Sequence, residues 1–446
     1  MSAVRLRPLP MRFRPRLITA LAFIILLGCG YFFFGVFIPG EHPGLVARNL
    51  AGGYGYSNDF YPIWVGSHEL FDGRDPYSPE LTPAIETGLY GRPLDRRSPS
   101  DDQVNYRAFS YPLYTIFFFA ALSPLPFPSV QIVLSILLPC IAALTAILWL
   151  RILGTSLSVS GLIAAICLTL ASYPVLEGVY AGQPGLVSAA LIAGTMAALA
   201  KDRIALAGIL LPCASVKPQL ILLIALWLMV WAFNDLTRRR NFVIAFALTT
   251  LLLLASSTWV LPNWFASWMH TLHEYRRISP PPLAQFVLGR VAGNLVSLLL
   301  LILSLYLCWR ERRQPASSEG FLMASVFVLA TTVVTLPSTI AIYDQFLLLP
   351  GVFFLCTHYD KILRATVPVR VLALIALGSL AWQWLAACAE AIGHWLSPNL
   401  VHSSGALLLP LRTAASLPFA FTALLCFVAL QEISSRKDST DHAAIS

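Results

Sequence analysis

Leu17-Ile18-Thr19-Ala20-Leu21-Ala22-Phe23-Ile24-Ile25-Leu26-Leu27-Gly28-Cys29-Gly30-Tyr31-Phe32-Phe33-Phe34-Gly35-Val36-Phe37-Ile38 is an apolar run without a single charge. Arg5, Arg7, Arg12, Arg14 and Arg16 precede it, with no acid among them. A signal peptide also begins this way, and Leu26-Leu27-Gly28-Cys29 resembles a lipoprotein cleavage box. The run continues well past that box, however. Its length suits ~30 Å of hydrocarbon rather than a secretory core of about 7–15 residues. It reads as an uncleaved first span entered from the cytoplasmic side, where basic residues are retained.

The rest of the chain agrees. Of 446 residues, 57% are hydrophobic and only 12% charged, against roughly 45–50% and 25% in a soluble domain. With mean hydropathy +0.72, a soluble fold is excluded. The predicted class is an all-α polytopic membrane protein. The net charge of +8 is explained first by topology rather than by a nucleic-acid partner. The eight cysteines all fall in apolar stretches without CxxC or Cys/His spacing, so they read as small buried hydrophobes, neither disulfides nor zinc ligands.

Residues 39–108 break the pattern with ten acids and six arginines and read as a large extracytoplasmic first loop, extending with juxtamembrane helices to 128. Further spans are predicted over 129–150, 158–172, 184–200, 204–216, 219–233, 242–262, 287–309, 320–337, 345–357, 370–388 and 405–429. Phe109–Leu122 is short for a span and reads as an interfacial helix. That parity gives twelve spans, both termini cytoplasmic, a single membrane domain over 1–433 and a disordered tail over 434–446. Basic clusters at Lys201/Arg203, Arg238-Arg239-Arg240, Arg310/Arg312/Arg313, Lys361/Arg364/Arg370 and Arg436/Lys437 then lie inside. Lys217, Arg276, Arg277, Arg290 and Arg412 do not, and each needs its own reason.

The chemistry-bearing residues fall in the outward segments. Asp59 sits among Phe60, Tyr61, Ile63 and Trp64, and a partly desolvated carboxylate suits a general base. Gly73-Arg74-Asp75-Pro76-Tyr77 follows it. Gly182-Gln183-Pro184 stands at a helix start, where capping is as good a reading as ligand binding. Lys217-Pro218 breaks a long apolar stretch; an intramembrane lysine is a functional candidate, with snorkelling as the alternative. His270, His273, Arg276, Arg277 and Arg290 make a basic outer loop suited to an anionic headgroup or phosphate. Tyr343-Asp344-Gln345 carries the acid between two apolar spans, either to hold a hydroxyl or to end a helix. There is no Walker loop, no HExxH and no room for a soluble catalytic domain.

In order along the chain, Asp59-Phe60-x-x-x-Trp64, Leu70-Phe71-x-Gly73-x-x-Pro76-Tyr77, Phe109-x-Tyr111-Pro112, Ser123-Pro124-Leu125-Pro126, Gly182-Gln183, Lys217-Pro218 and Tyr343-Asp344-Gln345-Phe346-Leu347-Leu348 resemble glycosyltransferase family 87, over roughly residues 17–360. The resemblance implies a GT-C fold and an inverting transferase using a polyprenyl-phosphate sugar, mannose by family default, at the extracytoplasmic face of the inner (plasma) membrane. The acceptor would be a lipid or glycan. It implies Asp59 as the catalytic base. Lys217, Arg276, Arg277 and Arg290 would bind the donor phosphate. Tyr61, Asp75, Tyr77, Gln183, His273, Tyr343 and Asp344 would bind sugar or acceptor. No cofactor is needed, since activation arrives with the lipid; a divalent metal stays open, with Asp59, Asp75 and Asp344 as oxygens but no ligand spacing to argue for it. A flippase of lipid-linked glycan and a ligase using a pyrophosphate-linked donor are the rival readings.

Overall fold

The computed structural model describes residues 15–95, 101, 106–338, 341–398 and 416–445. Arg412 and the four arginines before Pro15 lie outside them. Among the described residues the chain is helical, without strands; one isolated antiparallel bridge joins Pro282 to Ser338.

The opening run forms α1 (Pro15–Tyr31), widens to a π-helical turn over Phe32–Phe37, and continues as α2 (Ile38–Ala47). The loop that follows carries α3 (Tyr61–Phe71), α4 (Leu81–Tyr90) and the short α5 (Tyr114–Phe119), which ends in a 3-10 turn at Ala120–Leu122. That piece is too short to cross a bilayer. Next come α6 (Phe127–Ile152), α7 (Val159–Leu170), α8 (Tyr173–Ala181), α9 (Pro184–Ala200), α10 (Ile204–Cys213), α11 (Pro218–Phe233) and α12 (Leu236–Val260). α13 (Trp264–Ile278) and α14 (Leu283–Leu288) lead to α15 (Arg290–Glu311) and α16 (Glu319–Thr335). A 3-10 stretch, Ile342–Leu348, precedes α17 (Leu349–Thr357), α18 (Tyr359–Leu363), α19 (Val367–Leu396) and α20 (Ser416–Ile445).

Among the described residues, five helical stretches are long and apolar enough to cross a membrane: Arg16–Ala47, α6, α12, α15 and α19. α7 and α8, bent by 58°, make a sixth if taken as one span. The bend falls where Pro174 enters the first turn of α8 without an N–H to give. The other predicted spans fall on apolar helices of 10–17 residues, except that 405–415 of the last lies outside the described residues, so helix positions follow the sequence reading while the count of twelve goes beyond what length supports. α20 extends to Ile445, into the residues read as the tail. One expectation is corrected. Cys140 and Cys356 are exposed on helix faces rather than buried.

Packing follows helical spacing. On α6, Val130, Leu134, Leu138, Ala142 and Trp149 are buried, while Ile132, Ile136 and Leu144 on the opposite side are exposed apolar residues, as a lipid-facing side requires. α16 is the central helix: every residue from Gly320 to Thr335 is buried. Thr332 and Thr335 satisfy their hydroxyls on carbonyls one turn back, and Ser325 also accepts from Trp227 Nε1 of α11 at 2.9 Å. Polar bonds between distant segments collect at two separate sets of turns. One set joins Arg239 to the Arg312 carbonyl at 3.0 Å and Lys361 to Glu319 at 2.7 Å. The other surrounds Asp59.

Candidate functional site

Asp59 is held by its backbone before its side chain does anything. Its N–H donates to the Ala181 carbonyl at 3.0 Å, and the Ser57 N–H donates to the Tyr180 carbonyl at 2.7 Å. The C-terminal end of α8 therefore carries the Asp59 turn. Gly182 makes the close approach possible: it sits at φ +66°, and a Cβ there would lie 3.0 Å from the Cβ atoms of Phe60 and Ser57. The next residue, Gln183, is buried and donates its amide Nε2 to Asp59 Oδ2. Arg107 places Nε 3.6 Å from Asp59 Oδ1. Phe60 and Ile63 turn into the core, so the carboxylate faces an amide and a guanidinium rather than the apolar company its sequence neighbours suggest.

Three phenols close around this pair. Tyr111 O–H donates to the Asp59 carbonyl at 3.4 Å, and Tyr77 O–H fixes Tyr111 by donating to its carbonyl at 2.8 Å. Burial pushes the Tyr111, Tyr90 and Tyr275 phenols above the ordinary tyrosine value, with the charge of Asp59 adding to each and Arg107 opposing. They stay protonated at neutral pH.

A second buried pair lies beside the first. Lys217, extended before Pro218 at the start of α11, donates to Asp344 Oδ1 at 3.1 Å, with side-chain exposures of 8% and 1%. Its ammonium also sits 4.3 Å from the centre of the Tyr343 ring. The pair rests on the first turn of α9, where a Cβ on Gly185 would come within 2.9 Å of Asp344 Oδ1. Lys217 is thus paired rather than snorkelling; its charge is met inside the protein by Asp344.

The structure brings together Asp59, Gln183, Lys217, Tyr343 and Asp344. It places others apart. Tyr61 packs on Tyr54, Trp64 and Phe127. Asp75 accepts the Tyr77 N–H at 2.8 Å as a turn residue, and Tyr77 supports Tyr111. His273, Arg276 and Arg290 are exposed, and Arg277 pairs with Glu274 of its own helix at 3.1 Å.

Sequence reasoning missed Arg107, Tyr275 and Glu177. Arg107 looked like one of six loop arginines. Glu177 had a usable signal: it is the only Asp, Glu, Lys or Arg between Arg151 and Lys201, and intramembrane carboxylates are functional candidates by default. Among the described residues no group of three His, Cys, Asp or Glu side chains is placed to hold a metal.

A cavity of about 650 Å³ runs along α7 and α17, and none of the side chains of this cluster lines it. Ser172, Pro174 and Gln345 line it, as do Leu168 and Ala164 of α7 and Tyr359 and Asp360.

No curated protein and no solved structure matches the chain. The family model described as glycosyltransferase family 87 matches residues 109–337, just over half of the sequence. That stretch holds Glu177, Gln183, Lys217 and Tyr275, while Asp59 and Asp344 stand on either side of it. The chain belongs to glycosyltransferase family 87 and is a membrane glycosyltransferase.

Proposed function

We propose that the protein transfers a sugar, mannose by family default, from a polyprenyl-phosphate donor to a hydroxyl of a lipid or glycan acceptor at the extracytoplasmic face of the inner membrane, on a GT-C fold and with inversion. The observation that carries this reading is the Asp59 carboxylate, pinned by α8 and held between the Gln183 amide and the Arg107 guanidinium. Asp59 accepts the proton of the acceptor hydroxyl as its oxygen bonds to the anomeric carbon. The bond from that carbon to the phosphate oxygen breaks, and the polyprenyl phosphate leaves with both bonding electrons.

The cation best placed to meet that phosphate is Arg107, 3.6 Å from Asp59. A guanidinium turning from the carboxylate to the phosphate frees the base as it stabilises the leaving group. Arg276, Arg277 and Arg290, exposed on neighbouring helices, draw the anionic headgroup toward the site, and Lys217 contributes through its hold on Asp344. The apolar cavity along α7 and α17 suits the lipid chain.

Purified protein supplied with polyprenyl-phosphate mannose and an acceptor lipid extract tests the reading. Wild type transfers label to a lipid or glycan product, and Asp59→Asn loses about 10²–10⁴-fold in kcat, the usual worth of a general base. Transfer by Asp59→Asn at the wild-type rate removes the assigned base. Movement of lipid across liposomes without any transfer favours a flippase instead.

A further inference from the structure

Among the described residues, three buried oxygens around Asp59 make no hydrogen bond. Arg107 faces Asp59 Oδ1, Gln183 Nε2 donates to Asp59 Oδ2, and Lys217 donates to Asp344 Oδ1. The other oxygens of the same groups, Gln183 Oε1 and Asp344 Oδ2, are buried and accept nothing among the described residues. Glu177 Oε2 is a third such atom. Buried polar atoms in folded proteins are normally paired, and a cluster of exceptions asks for a missing partner.

Glu177 sits on the right face to belong to this set. It precedes Tyr180 and Ala181, whose carbonyls hold the Ser57 and Asp59 turn, by three and four residues, the helical spacing that stacks side chains on one side. It lies within electrostatic reach of Asp59, Asp344 and Lys217 together. The two cations of the cluster already face Asp59 and Asp344, so a third carboxyl without its own counter-charge serves neither pair.

All three leftover atoms are oxygens that can accept, and a carboxyl that keeps its proton also donates, so the partner they await carries several groups able to do both. A phosphate has no proton to offer and is repelled there; its place is on the Arg107 side. Vicinal hydroxyls of a pyranose fit. We propose that Glu177, with Gln183 Oε1 and Asp344 Oδ2, binds hydroxyl groups of the transferred sugar and that Glu177 is a specificity-determining residue. This rests on the glycosyltransferase reading above. It orients the donor, with sugar hydroxyls toward α8 and phosphate toward Arg107.

The test uses the full chain in nanodiscs with a panel of polyprenyl-phosphate hexoses and monodeoxy analogues of the best donor. Glu177→Ala lowers kcat/KM about 10–100-fold, the range for a buried acceptor lost from a polar contact. Glu177→Gln, which keeps one carbonyl oxygen and the volume, loses less. The deoxy analogue lacking the hydroxyl that Glu177 accepts is a poor donor for wild type, yet it suffers no further penalty in either variant. If Glu177→Ala fails to fold, the analogue series in Glu177→Gln decides. Deoxy penalties identical in wild type and variants at every position overturn the assignment, as do variants within about twofold of wild type. Wild-type protein that uses no member of the panel overturns the underlying reading instead.

Discussion

Lys217 and Asp344 are two charges that neither water nor lipid can stabilise where they sit. Each is tolerable only because the other is 3.1 Å away. Removing one partner of a buried pair leaves the other uncompensated, at a cost of about 3–5 kcal/mol, whereas replacing both by apolar residues of similar size is often neutral. Lys217→Met is therefore expected to lower the thermal stability of the detergent-solubilised protein sharply, and Lys217→Met/Asp344→Leu to recover most of it. Equal stability of the single variant and wild type would show that Asp344 does not depend on Lys217. The single residues were legible in the sequence, because an ionisable group in an apolar stretch stands out at once. Their pairing was not. The partners are 127 positions apart, and no local spacing encodes a contact that only helix packing creates. The same limit hid Arg107, whose role comes from a loop folding back over Asp59.

At the scale of elements, the breaks were more legible than the ends. Pro174, Pro184 and Pro218 all start helices, as residues without an N–H do, and Gly182 takes the left-handed turn that precedes α9. Less legible was how the polar loop holds its shape. Arg92 reaches past α4 to Asp101, donating to Oδ2 at 2.7 Å, while the Asp95 N–H donates to that same oxygen at 2.7 Å. The guanidinium holds the Asp101 carboxyl down at about 2, well below its ordinary range. A carboxylate whose value is depressed by folding stabilises the folded loop above the unfolded value and ceases to do so as pH falls through the folded one. Protection of the Asp95 amide from hydrogen exchange, corrected for the intrinsic rate, should thus hold down to about pH 4 and decline toward pH 2. Asp101→Asn should be poorly protected throughout. Constant wild-type protection from pH 5 to pH 2 would show that this clamp does not close the loop.

For the whole molecule, the deciding question is how many helices cross, because length alone admits five or six. The polar bonds supply a second criterion. Lys217 at the start of α11 meets Asp344, while Trp231 near its other end donates to the Gln314 carbonyl at 2.9 Å, beside Arg239 and Arg312. α16 likewise begins at Glu319, paired with Lys361, and leads to Ser338, whose hydroxyl donates to the Pro280 carbonyl at 3.0 Å. Short as they are, α11 and α16 thus run between the same two sets of turns. Those turns also divide by charge, with the clusters Lys201/Arg203, Arg238–Arg240 and Arg310–Arg313 at one set and the Asp59 cluster at the other. Retention of basic residues on the cytoplasmic side predicts the orientation that the proposed function requires, with the Asp59 end outward. Cysteines introduced one at a time into a variant lacking the eight native ones measure this directly. With a membrane-impermeant maleimide on intact cells, Asn263→Cys and Ser279→Cys should be labelled, and Asp202→Cys and Arg312→Cys should be labelled only after permeabilisation. Labelling of Asp202→Cys from outside would mean that α5 and its 3-10 turn cross after all, or that α10 and α11 form one span. Either outcome would move Lys217 away from the outer end and break the link between charge and side on which the orientation rests.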